Sequence, residues 1–135
     1  IKSHIEYKRI YPYRNISSHV VGHVDIDQKG QQGIERFFDK ELSESKKIFL
    51  TLDINLQKYM YSKLLGFSGS SIAMNPKNGE ILGMISMPSI DPNNYLWGSY
   101  SDIDKSKRLK SPMFNRSING LGVTTKGDIV GYYKK

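Results

Sequence analysis

Ser71-Ile72-Ala73-Met74-Asn75-Pro76-Lys77-Asn78-Gly79-Glu80-Ile81-Leu82-Gly83-Met84-Ile85-Ser86-Met87 carries the clearest structural instruction in the chain. Two apolar runs, 71–75 and 80–87, flank Pro76-Lys77-Asn78-Gly79. The Asn-Gly pair tolerates the positive φ that hairpin turns need, so the spacing predicts an antiparallel β-hairpin. Pro88 and Pro92 end its second strand, and 91–108 reads as a long surface loop.

Working back toward the N-terminus, Asp53 is a good N-cap, because its carboxylate accepts from the free amides of a first helical turn. A helix is expected over 54–65, with Leu56, Tyr59, Met60, Lys63 and Leu64 on its buried face and the Lys63 stem lying along it. Gly66 stops that helix, and 67–71 reads as a small-residue linker at a domain boundary. Before it, 46–52 reads as a strand. Residues 33–42 place Ile34, Phe37, Phe38 and Leu42 on one helix face. The β-branched run His19-Val20-Val21-Gly22-His23-Val24-Asp25 reads as another strand, followed by a turn over 27–30. The class is α+β: strands and short helices, then an antiparallel hairpin.

A chain of 135 residues holds one modest core, or one domain and a fraction. With 38% hydrophobic and 24% charged residues it lies away from disordered compositions. The net charge of +7 attracts polyanions in general, but the basic residues are scattered, clustering only at Lys105, Lys107, Arg108 and Lys110. A solvated surface accounts for them better than a nucleic-acid patch, and no nucleic-acid module is recognisable. The absence of cysteine rules out disulfides, thiol catalysis and Cys-ligated zinc. No apolar run approaches the ~20 residues of a membrane-spanning helix, and Ile1 is not an initiator methionine. The chain is therefore expected to begin inside a longer precursor that holds any membrane anchor upstream.

Candidate chemistry is sparse. Ser43-Glu44-Ser45-Lys46 satisfies Ser-x-x-Lys formally, yet it lies in a polar connector, where a serine lacks the buried amine that would activate it. Ser101-Asp102 is followed by Ile103, so it reads as loop polarity. On a strand, His19 and His23 would stand about 13 Å apart, too far to share a metal ion with each other or with His4. Glu35 reads as a capping or salt-bridge residue with Arg14 or Arg36 as partner, and Glu35 with Asp39 as the wet side of a helix. Arg116 is placed to donate to a carboxylate. No metal or cofactor is expected.

Several stretches together resemble the class B penicillin-binding proteins, the serine transpeptidases of peptidoglycan synthesis. Arg9-Ile10-Tyr11-Pro12 and His19 to Val24 with Gly22 look like the opening of the family's N-terminal pedestal, and Gly33-Ile34-Glu35 and Asp53 with Gln57 resemble its helix starts. The hairpin with Asn78-Gly79, Asp91-Pro92-Asn93, and Asn115-Arg116 resemble the start of its transpeptidase domain. The resemblance implies a pedestal or dimerisation segment over 1–66, a transpeptidase start over 67–121, and an unassigned tail over 122–135.

In that family the Asn-Arg element leads to an acylated serine and its lysine in Ser-x-x-Lys. Counted without gaps from Asn115, those slots fall at Lys126 and Ile129, neither of which can serve. The expectation is a non-catalytic scaffold piece in cell-wall assembly, with no catalytic residue. Its parent would be periplasmic and anchored in the inner membrane. The resemblance further implies contact with a glycosyltransferase or an elongation or division complex, and the exposed half-domain implies self-association. The competing readings are a β-lactam-binding or decoy protein and a basic nucleic-acid-binding module.

Overall fold

The computed structural model describes residues 3–94 and 112–119. The basic cluster at 105–110, Ser101-Asp102 and the positions of Lys126 and Ile129 lie outside the described residues. Three glycines and a short run of polar residues shape the N-terminal part. A 3₁₀ turn at Arg14–Ile16 leads into α1 (Ser18–Val21), and Gly22 then turns the chain at φ 82°. Residues 19–25, read as a strand, instead hold this single helical turn, with one isolated bridge between Val24 and Gly30. Among the described residues the β-branched run has no neighbouring strand to pair with, so its local preference is overridden.

Residues 33–42 form two short helices, α2 (Gly33–Phe37) and α3 (Asp39–Ser43), and not one. The chain breaks at Phe38, whose φ of −108° and ψ of 27° leave helical geometry. The break turns Phe37 outward, 78% exposed, with its ring edge-on to Phe38 at 4.8 Å. Residues 46–52 form no strand either.

The remaining elements follow the sequence closely. Asp53 caps α4 (Ile54–Leu64), its carboxylate accepting from Asn55 N and Leu56 N at 2.8 and 3.1 Å. Gly66 follows at φ 83°. Strands β1 (Gly69–Met74) and β2 (Ile81–Met87) pair antiparallel, Gly69 opposite Met87 and Ala73 opposite Gly83, with an irregularity at Met74. The strand thus begins inside the stretch read as a linker. In the turn Gly79 alone has positive φ, at 78°; Asn78 instead accepts Glu80 N through its side chain. The four-residue loop closes by Gly79 N donating to Asn75 O, so the turn is not a two-residue Asn-Gly type.

Helix α4 packs on β2 around Met60, Ile85 and Met87, with Leu56, Tyr61, Leu64 and Ala73 against them. The buried face of α4 is therefore rotated from the expected one: Tyr59 and Lys63 are exposed, while Gln57 is fully buried. On the outer face of β1, Ile72 and Met74 stay about half exposed. No helix among the described residues is long and apolar enough to cross a membrane.

Candidate functional site

Among the described residues the buried interior is more polar than apolar. Tyr11, Met60, Ile85 and Met87 are its apolar members; Ser18, His19, His23, Glu35, Gln57, Ser86 and Asn115 are buried as well. Buried polar groups need partners, and here those partners tie together segments distant in sequence.

Three side-chain amides act as substitute peptide groups. Gln57 donates through Nε2 to Met84 O at 2.7 Å and Ile16 O at 3.1 Å, and accepts Met84 N at 2.9 Å. Asn93 accepts Tyr11 N at 2.9 Å and returns a bond to Tyr11 O at 2.8 Å. Asp91 holds that amide in place, accepting from Asn93 N and Nδ2, both at 2.9 Å, in the 3₁₀ turn Pro92–Asn94. Asn115 accepts Ser117 N at 3.0 Å at the start of α5 (Arg116–Asn119) and donates to His19 O at 3.4 Å.

Segment 112–119 is seated on both neighbours. His19 Nε2 stands 2.6 Å from Pro112 O, and since a carbonyl only accepts, that nitrogen carries the proton. Gln32 Nε2 donates to Met113 O at 3.2 Å. Ser86 Oγ donates to Phe114 O and accepts Arg116 N at 2.8 Å, and Ser117 Oγ donates to Ile85 O at 2.9 Å. Arg116 also donates to Phe114 O at 3.2 Å and lies over the Phe114 ring. The hydroxyls of Ser18, Ser86 and Ser117 are thus committed to backbone carbonyls.

Glu35 is buried, not on a wet face, and its ionic partner is Arg9, with Nε 3.1 Å from Oε1 but without the angle of a hydrogen bond. The Tyr11 hydroxyl accepts Val24 N at 3.0 Å and lies close enough to Glu35 for the two groups to shift each other's pKa. Burial raises the Glu35 pKa, only partly opposed by Arg9 and Tyr11. Burial, then Glu35, pushes the Tyr11 hydroxyl well above the usual range. Arg14, once expected near Glu35, instead approaches Asp91 at 4.0 Å, and Arg36 is exposed. Asp39 accepts Gly30 N at 2.7 Å.

His19 and His23 line one cavity of about 10 Å³ together with Gln32, Pro92 and Met113, a space too small for an organic ligand. Burial lowers the pKa of both imidazoles. Among the described residues no group of three or more His, Asp or Glu could hold a metal ion.

Of the residues singled out in the sequence, Arg9, Tyr11, His19, Glu35, Asp91, Asn93, Asn115 and Arg116 gather at this junction, and Gly22 and Gly33 shape its crossing. Gln57 joins β2 to residue 16. Pro12, Asp53, Asn78 and Gly79 are exposed and stand apart. Ser43 to Lys46 is exposed, with Ser43 Oγ donating to Lys40 O and Lys46 paired with Glu44. Gln32 went unnoticed in the sequence, since it falls in no apolar pattern or recognised motif, and Ser86 was read only as part of the hairpin's second run, with no role of its own.

The peptidoglycan D,D-transpeptidase MrdA of Salmonella typhimurium is 34% identical over 120 residues, taking in 68% of this chain and 19% of that protein. The crystal structure of Pseudomonas aeruginosa PBP2 in complex with WCK 5153 matches with a TM-score of 0.67 at 29% identity, over 89% of this chain and 32% of that one. The chain belongs to the class B penicillin-binding proteins. A further class B relative, the peptidoglycan D,D-transpeptidase FtsI of Buchnera aphidicola, is 28% identical over 93% of this chain and 27% of its own. The chain thus spans 19% and 27% of the length of these two curated relatives. No family model matches it. The Salmonella alignment runs over 120 residues while using 68% of 135, so that penicillin-binding protein carries residues within the matched span that have no counterpart here.

Proposed function

We propose that this chain is a non-catalytic scaffold element of a class B penicillin-binding protein, serving peptidoglycan synthesis. Its role is to hold the approach to the transpeptidase site against the pedestal. The observation that carries this reading is the docking of segment 112–119: His19, Gln32 and Ser86 hold Pro112, Met113 and Phe114, and Asn115 donates to His19 O, which links the N-terminal region to β2 at the Asn115-Arg116 motif. Lys126 and Ile129 at the reactive slots support the absence of acyl transfer, since an ammonium replaces the nucleophilic hydroxyl and an alkane replaces the base. The family membership supports a periplasmic setting. It also supports contact with a cell-wall glycosyltransferase or an elongation or division complex, and association with a second copy.

Incubation with benzylpenicillin followed by intact-mass spectrometry tests the central claim. The expected mass is that of the unmodified polypeptide; a covalent penicilloyl adduct on any side chain would overturn the non-catalytic reading.

A further inference from the structure

We propose that residues 47–52 form an open β-edge that binds an extended acidic strand of another protein, with the strand's apolar side chains seated in the adjoining groove. The segment has the composition of a strand in Ile48, Phe49, Leu50 and Thr51, yet it holds no ladder. Backbone bonds secure it only at its flanks, where Lys46 N donates to Glu41 O and Asp53 N to Leu82 O. Between them, no backbone N–H or C=O of 47–52 has a backbone partner among the described residues. None of these residues has positive φ. An unpaired edge of this kind is a template for pairing with a second chain.

A groove lies beside the edge. It encloses about 400 Å³ between Val21, Ile34 and Leu42 on one side and Ile48, Phe49 and Leu50 on the other. That volume falls within the range of a binding pocket. Phe49 is 89% exposed, an unusual cost for a benzyl group with no cover. Alternate side chains of an added strand would fill the groove, because successive residues point to opposite faces.

Charge selects the partner. Lys46 and Lys47 stand at the groove, both exposed; Lys46 is paired with Glu44 at 2.7 Å, and Lys47 forms no ion pair among the described residues. The acid lining it, Glu35, is already engaged by Arg9 and Tyr11. The open charge at the rim is therefore that of Lys47, which complements a carboxylate. A second copy would bring the same Lys47 to this edge, which opposes pairing of two copies here.

The probe is a synthetic peptide alternating valine with glutamate, added to the full chain while amide hydrogen exchange is followed by NMR. Amides on alternate residues of 47–52 should slow about tenfold or more at saturating peptide. A counterpart with N-methylated backbone should leave them unchanged. Lys46→Glu with Lys47→Glu should weaken the glutamate peptide about tenfold and favour a valine–lysine peptide instead. Phe49→Pro and Leu50→Pro remove adjacent amides, of which an added strand uses one; neither touches an existing ladder bond. One of the two should abolish peptide binding. The proposal is overturned if no amide slows, if the N-methylated peptide binds equally, if both proline variants bind normally, or if 47–52 becomes protected with rising protein concentration and no peptide.

Discussion

Gln57 shows how much one side chain carries in a molecule with so small an apolar core. Its amide satisfies both backbone groups of Met84 and the carbonyl of Ile16, all from a fully buried position. Gln57→Leu preserves volume but leaves three part-buried backbone groups without this partner, and an unmade hydrogen bond away from water costs more than a made one returns. The expected loss is about 3 kcal/mol, read as a shift in the urea midpoint at unchanged slope. Stability within about 0.5 kcal/mol of the parent would show that the amide is dispensable. Hydrophobic periodicity cannot see such a residue. It placed Tyr59 and Lys63 on the buried face of α4 beside Leu56, Met60 and Leu64, of which only the last three pack in the core, and Gln57 stood out only as part of a motif.

At the scale of elements, α1 and α2 meet through a crossing that admits no side chain. Gly22 holds φ 82°, and a Cβ there would fall 1.8 Å from Gln32 O. Gly22→Ala therefore forces α1 from α2, and Gln32 with them from Met113. A large destabilisation is expected, above about 3 kcal/mol, together with faster amide exchange across 112–119. Normal exchange in that segment would refute the coupling. What was legible in the sequence follows the same division. The β1–β2 hairpin, the Asp53 cap and the Gly66 stop rest on local chemistry, and all three are in the structure. Residues 19–25 and 46–52 have strand composition, but a strand needs a partner that composition does not supply. The 33–42 helix broke at Phe38 because its apolar stripe alone does not hold one axis. At the junction the motif residues were legible by name. Their partners were not: Glu35 turned to Arg9, 26 residues away in the chain, and not to the Arg14 or Arg36 that the sequence suggested.

For the whole molecule, the buried titratable groups bound the pH range in which the three segments stay together. His19 and His23 are both buried, and burial lowers their pKa values from the ordinary 6.5; at His19 Arg116 adds to the lowering while the Pro112 carbonyl opposes it. A lowered folded-state pKa means that the unfolded chain takes up protons first, so this stability is present above about pH 6.5 and is lost as pH falls through the folded values. Glu35 acts in the opposite sense, its raised pKa removing stability as pH climbs from its ordinary value. The histidine contribution is therefore read as a difference between the parent and His19→Asn. Between about pH 7 and pH 5 the parent's thermal midpoint should fall more steeply than that of His19→Asn. At the alkaline end, the raised Tyr11 pKa predicts a second loss as pH rises beyond about 10, where the unfolded tyrosine ionises and the folded one resists. Parallel acid profiles for parent and variant would show that His19 does not set the acid limit, and that the docking of 112–119 is indifferent to its charge.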